Sequence, residues 1–383
     1  MKVLWLDLVS EPGGAQISML EACVGLAARG IEIVAATPPG FLADRLKQAG
    51  ITVFPVSELR ARRRGFGLFM TASKLLRSPS TVSQILRTIK PDIVHANSLT
   101  AFMVAKRTRT QAPVIWHVRD LRMPALAARE AGKKADMIIA VSTAVDEWLA
   151  YVLPSSVLGN IRVIRNGVDL KRFARCDRSA CRARLGLPDG VPVVGMVAHL
   201  IPWKRHDAFI AAAALIRESL PDARFLIVGR DLFGEHASWL SELEQQVAEA
   251  GLSESLQWVR DCDASEDVLP AFDLLLHPAL DEPFGRVICE AMAAGVPVIA
   301  ADSGGPALII QDGESGMLVS DGDHSKMAEV AVALLRDPAA AARLAAGGKE
   351  RVAQKFSSER VCDQLAAAYE NLLFTAAYHP DED

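Results

Sequence analysis

The sequence predicts an α/β protein built from two doubly wound domains in succession, each a parallel sheet with helices on both faces. Three observations lead there. At 383 residues the chain is long enough for two domains of ordinary size. Short apolar runs of strand length alternate with helix-length amphipathic stretches, the pattern of a parallel sheet. That alternation begins afresh at Val191, after a charged stretch over 171–190 that reads as a linker.

Val3-Leu4-Trp5-Leu6-Asp7-Leu8 reads as a buried strand. The pair Gly13-Gly14 then turns the chain into a helix through Met19, Leu20, Cys23, Val24, Leu26 and Ala27, and Gly30 separates it from a strand over 31–36. A βαβ opening with glycines at the helix entry permits close approach of backbone to a ligand. It is not a full G-x-G-x-x-G, and a Gly-Gly pair by itself is more often only a turn. A helix over 41–49, a strand over 51–56, a helix over 80–89 and strands over 91–96, 113–117 and 135–142 continue the alternation, followed by a helix through Trp148. The second half offers a strand over 191–197, a loop over 199–206, a helix over 208–218, a strand over 224–229 and a helix over 239–250. Strands over 256–259 and 274–277 precede a strand–helix–strand unit ending at 300, and a last helix covers 358–373.

Composition narrows the class. Half of the residues are hydrophobic and the mean hydropathy is +0.19, which suits a large core and argues against disorder. Six scattered cysteines form no C-x-x-C and no Cys/His cluster of zinc spacing, so no metal site is expected and reduced thiols in a cytoplasmic protein are the simplest reading. Asp7 interrupts the N-terminal apolar run too early for a secretion signal, and no apolar run approaches the ~18 residues that span a bilayer.

Charge is unevenly spread. Residues 1–165 hold 22 Lys+Arg against 12 Asp+Glu, whereas the remainder holds 20 against 34. A basic first half suits an anionic partner. Its densest part, Arg60 to Lys90, has eight Lys/Arg and no acid, and mixes Arg62, Arg63 and Arg64 with Phe66, Leu68 and Phe69. That composition reads either as a segment in peripheral contact with the inner face of the cell membrane or as a solvated stretch with ordinary core contacts. Nucleic acid fits less well, because no recognised module accompanies the charge and the second half is acidic.

The most informative stretch is Glu282-Pro283-Phe284-Gly285-Arg286-Val287-Ile288-Cys289-Glu290. Its two carboxylates stand eight residues apart and bracket a strand-to-helix turn, with Glu282 in the loop and Glu290 about two turns into the helix. Helix N-terminal N–H groups hold phosphate, and carboxylates accept hydrogen bonds from hydroxyls. A ligand anionic at one end and rich in hydroxyls at the other, such as a nucleotide sugar, fits that turn. Two glutamates without such surroundings would more often be solvated helix charges.

Together with Ala291-Met292-Ala293-Ala294-Gly295-Val296-Pro297-Val298-Ile299, this stretch closely resembles the E-x7-E signature of retaining nucleotide-sugar glycosyltransferases of family 4. The resemblance extends to Gly13-Gly14, the strand end at His117, the domain-crossing segment Asn166-Gly167-Val168-Asp169, Lys204 and the terminal helix. It implies the glycosyltransferase-B fold: two Rossmann-like domains facing a central cleft. Residues 1–168 would bind acceptor, 169–190 would link, 191–357 would bind the nucleotide sugar, and 358–383 would cross back to the first domain.

By resemblance, Lys204 takes the donor diphosphate, Gly13 and Gly14 lie beneath it, Glu290 takes the ribose hydroxyls and Glu282 orients the sugar. Backbone N–H groups of Phe284, Gly285, Arg286 and Val287 face the sugar or phosphates, and Gly229 with the loop at Arg260 lines the nucleotide pocket. His117 contacts the transferred sugar, and Arg119 and Arg122 grip an anionic acceptor. The implied reaction moves a hexose-type sugar from a UDP- or GDP-sugar to a glycan or lipid-linked acceptor with retention, without metal or cofactor, in cell-surface polysaccharide or lipopolysaccharide assembly. The chain departs from the family in having His199 where an arginine is frequent, with Arg205 or Arg165 as substitutes, and Leu308 where a glutamate is frequent. The rival readings are an epimerase or sugar phosphorylase on the same fold, and a non-catalytic nucleotide-binding relative.

Overall fold

The computed structural model describes residues 1–59, 79–121, 123–175, 177–232, 234–262 and 264–378. The basic stretch read for membrane contact therefore lies largely outside the described residues, as does Arg122. The chain divides into two compact units, one of Met1–Gly167 with Ser358–Asp383 and one of Val168–Ser357.

The first unit carries strands β1 (Lys2–Leu6), β2 (Glu32–Thr37), β3 (Thr52–Pro55), β4 (Ile93–Ala96), β5 (Val114–Val118), β6 (Met137–Ala140) and β7 (Ile161–Val163). Between them run α1 (Gly14–Ala27), α2 (Phe41–Gln48), α3 (79–89), α4 (Leu99–Arg107), α5 (Ala125–Gly132) and α6 (Thr143–Val152). The sheet is parallel in the order β3-β2-β1-β4-β5-β6-β7. Val3, Leu4, Trp5 and Leu6 are all buried, which explains why β1 reads as an unbroken apolar run: helices cover both faces. The strand order reverses between β1 and β4, so their carboxyl ends, at Asp7 and Asn97, flank the crevice where open α/β sheets bind ligands.

The second unit repeats the plan. Strands β8 (Val193–Val197), β9 (Arg224–Val228), β10 (Leu256–Val259), β11 (Leu274–His277), β12 (Val298–Ala301) and β13 (Met317–Val319) form a parallel sheet in the order β10-β9-β8-β11-β12-β13. Its helices are α7 (Leu170–Phe173), α8 (Arg178–Arg184), α9 (His206–Ser219), α10 (Ala237–Glu249), α11 (Arg286–Ala293), α12 (Pro306–Ile309), α13 (His324–Arg336) and α14 (Pro338–Lys355). Here the reversal falls between β8 and β11, which end next to His199 and at His277. Phe209, Ile210 and Ile216 of α9 pack with Met327, Ala331 and Leu334 of α13 over Val194, Phe225 and Leu274.

The last helix, α15 (Ser358–Tyr378), belongs to the first unit. Its Cys362, Leu365, Tyr369 and Leu372 join Trp5, Met19, Cys23 and Leu26 in one core. Burying a side chain of leucine size stabilises by roughly 1.5–3 kcal/mol, so four such positions tie this helix firmly to α1.

Two expectations change. Residues 169–190, read as linker, hold α7 and α8, whose first turns are capped by Asp169 and Asp177 accepting from Lys171 N (2.9 Å) and Ser179 N (2.8 Å). Charges of this stretch are fastened to the second unit: Arg178 and Arg182 donate to Asp273 and to the carbonyls of Pro270, Phe272 and Ala271. Glu290 is the fifth residue of α11, little more than one turn from its start. Helices α4, α5, α13 and α14 had no sequence expectation.

Candidate functional site

In the second unit the strand-to-helix turn is shaped by Gly285, the N-cap of α11, which sits at φ +92°, a left-handed conformation that a β-carbon would strain. The loop before α12 fixes the other side, Gly305 N donating to Glu282 O at 2.7 Å. These constraints hold Glu282 inward, buried. Its Oε2 receives the Lys204 ammonium and, at 3.2 Å, His277 Nε2. A carboxylate only accepts, so His277 carries its proton on Nε2. Burial alone would raise the Glu282 carboxyl; Lys204 and the His277 bond outweigh it and hold the group well below the usual carboxylate range. Burial pushes the His277 ring down.

Lys204 closes the short 3-10 turn Pro202–Lys204 after β8, with its ammonium 4.2 Å from the Trp203 ring centre. Leu280 N donates to Trp203 O at 3.1 Å, joining the Lys204 loop to the Glu282 loop. His199 lies beside them, and burial, then the charges of Lys204 and Arg230, lower it to about 4 against a smaller opposing pull from Glu282. At neutral pH it is therefore uncharged and does not replace the charge of the arginine frequent at this position. Arg205 follows at φ +58° and spends its Nε on both oxygens of Asp207 at 3.0 Å.

Glu290 is clamped rather than open: Arg286 Nε reaches its Oε1 at 2.7 Å and Arg172 Nη2 stands 4.0 Å away, Arg172 also pairing with Glu266 at 3.1 Å. Phe284 is buried and meets the Phe356 ring edge-on at 5.9 Å. In the opening turn of α11 the N–H groups of Gly285, Arg286 and Val287 lie outside the helix's own hydrogen-bond ladder. Gly229, at φ +144° after β9, lets that strand end run past Ala198 O. Arg260 turns to Glu244 of α10 at 2.6 Å.

The first unit assembles a second cluster at its own strand reversal. Asp7 is fully buried and accepts from Asn97 Nδ2 (2.5 Å), Gln16 Nε2 (3.1 Å) and Val9 N (3.0 Å). Burial pushes its carboxyl up against these bonds. Arg119 donates from Nε to Asn97 Oδ1 and from Nη1 to Asn166 Oδ1, both at 2.7 Å, and places Nη2 3.3 Å from His117 Nδ1. The arginine read as an acceptor clamp thus organises the strand ends. His117 is buried and bonded through Nδ1 to His95 Nε2 at 2.9 Å. Its Nε2 is buried with no protein partner, and the residue lines a cavity together with Ser18, Glu21, Arg165, Asn166 and Gly167. Gly13 and Gly14 open α1 with no side-chain cap, and no atom lies within 4 Å of a β-carbon built at Gly14.

Sequence reading brought out Glu282, Lys204 and His117 but missed His277, Arg172, Asp7, Asn97 and His95. The strand-end positions of Asp7, Asn97 and His277 were a usable signal, because both sheets reverse order at those ends.

The group 1 glycosyl transferase profile matches residues 177–351 and the glycosyltransferase family 4 profile matches residues 12–172. The lipopolysaccharide core biosynthesis mannosyltransferase LpsB of Rhizobium meliloti (strain 1021) is 31% identical over 63% of this chain and 67% of that protein. The D-inositol 3-phosphate glycosyltransferase of Mycolicibacterium smegmatis is 28% identical over 97% of this chain and 89% of that protein. Among solved structures, HepE of Anabaena in complex with UDP-glucose superposes with a TM-score of 0.83 at 26% identity, over 97% of this chain and 100% of the other. With parallel doubly wound sheets in both units and profile matches to both, the chain belongs to the family 4 glycosyltransferases of the glycosyltransferase-B fold.

Proposed function

We propose that this glycosyltransferase moves a hexose-type sugar from a UDP- or GDP-sugar to a glycan or glycolipid acceptor with retention of anomeric configuration, without a metal. The observation that carries the reading is the buried Lys204–Glu282–His277 cluster at the β8/β11 reversal. It sets one cation and one carboxylate beside the opening turn of α11, the pairing that a diphosphate and sugar hydroxyls require. LpsB is a mannosyltransferase of lipopolysaccharide core biosynthesis, and HepE forms a complex with UDP-glucose. They support a nucleotide-sugar donor and a role in cell-surface glycan assembly.

In the proposed reaction the acceptor oxygen forms its bond to the anomeric carbon on the face from which the diphosphate departs. The bond from that carbon to the phosphate oxygen breaks, and the acceptor's proton passes to the departing phosphate. Glu282 is already tied to Lys204 and His277, which makes it a positioning carboxylate for sugar hydroxyls rather than a nucleophile. Lys204 and the N–H groups of Gly285, Arg286 and Val287 would stabilise the charge that develops on the leaving diphosphate. Glu290, once its bond to Arg286 is exchanged, would take the ribose hydroxyls. His117 would face the transferred sugar. Among the described residues no helix is long and apolar enough to cross a membrane; contact through the basic 60–90 stretch remains part of the proposal.

Thermal-shift binding against UDP, GDP, ADP and their sugars, with and without Mg²⁺, tests the donor site. One diphosphate should stabilise the protein equally well in both conditions. No shift with any nucleotide would overturn the reading, and turnover of the donor without an acceptor to an epimeric sugar would replace it with an epimerase. The anomeric proton coupling of the first transferred product then decides retention.

A further inference from the structure

Three buried groups of the first unit form a chain from the terminal helix to His117, whose Nε2 has no protein partner. Tyr369 OH lies 2.7 Å from His95 Nδ1, and His95 Nε2 lies 2.9 Å from His117 Nδ1. The Trp5 ring stacks on His95 at 3.6 Å between centres and 11° between planes, fixing the imidazole's orientation. Arg119 Nη2 approaches the same His117 Nδ1 at 3.3 Å.

The proton positions follow from one donor-only group. A guanidinium has no lone pair to offer, so His117 Nδ1, which faces it, must be the acceptor. A neutral imidazole carries one N–H, and that of His117 is then on Nε2. His95 Nε2 shares the same acceptor and must donate. His95 Nδ1 is then bare and accepts, and the single hydroxyl proton of Tyr369 supplies it. We propose that His95 and Tyr369 are positioning residues that, with Arg119, lock His117 in the Nε2–H tautomer, so that His117 meets its ligand as a hydrogen-bond donor to a sugar oxygen. Burial, and next the charge of Arg119, lower both rings well below the usual histidine range, which keeps them neutral and the relay intact at neutral pH.

The consequence is chemical. A locked Nε2–H leaves no in-plane lone pair on that nitrogen, so His117 does not act as a general base through it. Its buried N–H has no protein acceptor, an unmade bond that a hydroxyl or ring oxygen of a bound sugar would complete. The identity of that oxygen rests on the proposed function; the tautomer does not.

The test is long-range proton–nitrogen NMR on the full chain with labelled histidine at pH 7.5, with His95 and His117 assigned from His95→Gln and His117→Gln variants. Both rings should show the neutral Nε2–H pattern. In Tyr369→Phe, where His95 Nδ1 loses its donor, the His95 signals should shift, and kcat/KM for transfer should fall roughly 10-fold, the scale on which orienting partners act. His117→Gln, which keeps an N–H at the Nε2 position, should retain more activity than His117→Leu. An Nδ1–H or imidazolium pattern for His117 in the unsubstituted chain would overturn the proposal, as would a Tyr369→Phe protein with unchanged spectrum and rate. If Tyr369→Phe does not fold, the unsubstituted spectrum decides alone. A chain that transfers no sugar would defeat the functional reading, while the spectrum would still decide the relay.

Discussion

Glu282→Gln is isosteric and removes only charge, which makes it the sharpest probe of the central cluster. The Lys204 and Glu282 side chains are 13% and 9% exposed, so the substitution strands a largely buried ammonium beside a neutral amide. Breaking one side of a buried ion pair costs about 3–5 kcal/mol, and the flexible lysine stem with some water access sets the value near the lower end. For a unit the size of Val168–Ser357, about 3 kcal/mol lowers Tm by about 6–12 °C. Adding Lys204→Met removes the stranded charge, and the double variant should recover to within about 1 kcal/mol of the parent. The assay is thermal unfolding at pH 7.5 followed through tryptophan fluorescence, with Trp203 in contact with the lysine. In the same Glu282→Gln protein, nucleoside-diphosphate affinity should tighten, because Lys204 loses its internal competitor, while transfer falls about 100-fold or more. A Tm within 2 °C of the parent, roughly the shift from under 1 kcal/mol, would refute the buried pair, as would a double variant no more stable than Glu282→Gln.

Two further outcomes follow from the same packing. Gly229→Ala would set a β-carbon 2.0 Å from Ala198 O at φ +144°, forcing backbone apart at the β8 and β9 ends; stability should drop by about 3 kcal/mol or more by urea titration, and diphosphate binding should weaken with it, whereas an unchanged midpoint would contradict the close approach. His199 and His206 are each lowered to about 4 by burial, so the unfolded chain takes up their protons at about 6.5 while the native state does not. Their contribution is complete above about pH 6.5 and is lost as pH falls toward 4, at about 1.4 kcal/mol per pH unit for each ring. Urea midpoints measured from pH 7.5 to 5 should decline through that window, and a flat profile would show the rings to be solvated.

Periodicity and local chemistry determined much of this protein before any coordinates. Unbroken apolar runs such as Val3–Leu6 and Leu274–Leu276 fix buried parallel strands, because a strand covered on both faces has no polar alternation to show. Gly285 and the carboxylates around it mark the strand-to-helix turn within ten residues of chain, a range over which backbone conformation is encoded locally. What lay beyond the sequence is partnership. The charges at 171–190 look the same whether solvated or fastened to Asp273, about ninety residues away. Arg119 looks like a free clamp until Asn97 and Asn166 are folded against it, and His199 looks like a cation until burial beside Lys204 neutralises it. Tyr369 reaches His95 across 274 positions of chain. The sequence settles which residues can donate, accept or carry charge; the tertiary structure alone decides which of them meet, and in so low a dielectric the meeting determines protonation, orientation and role.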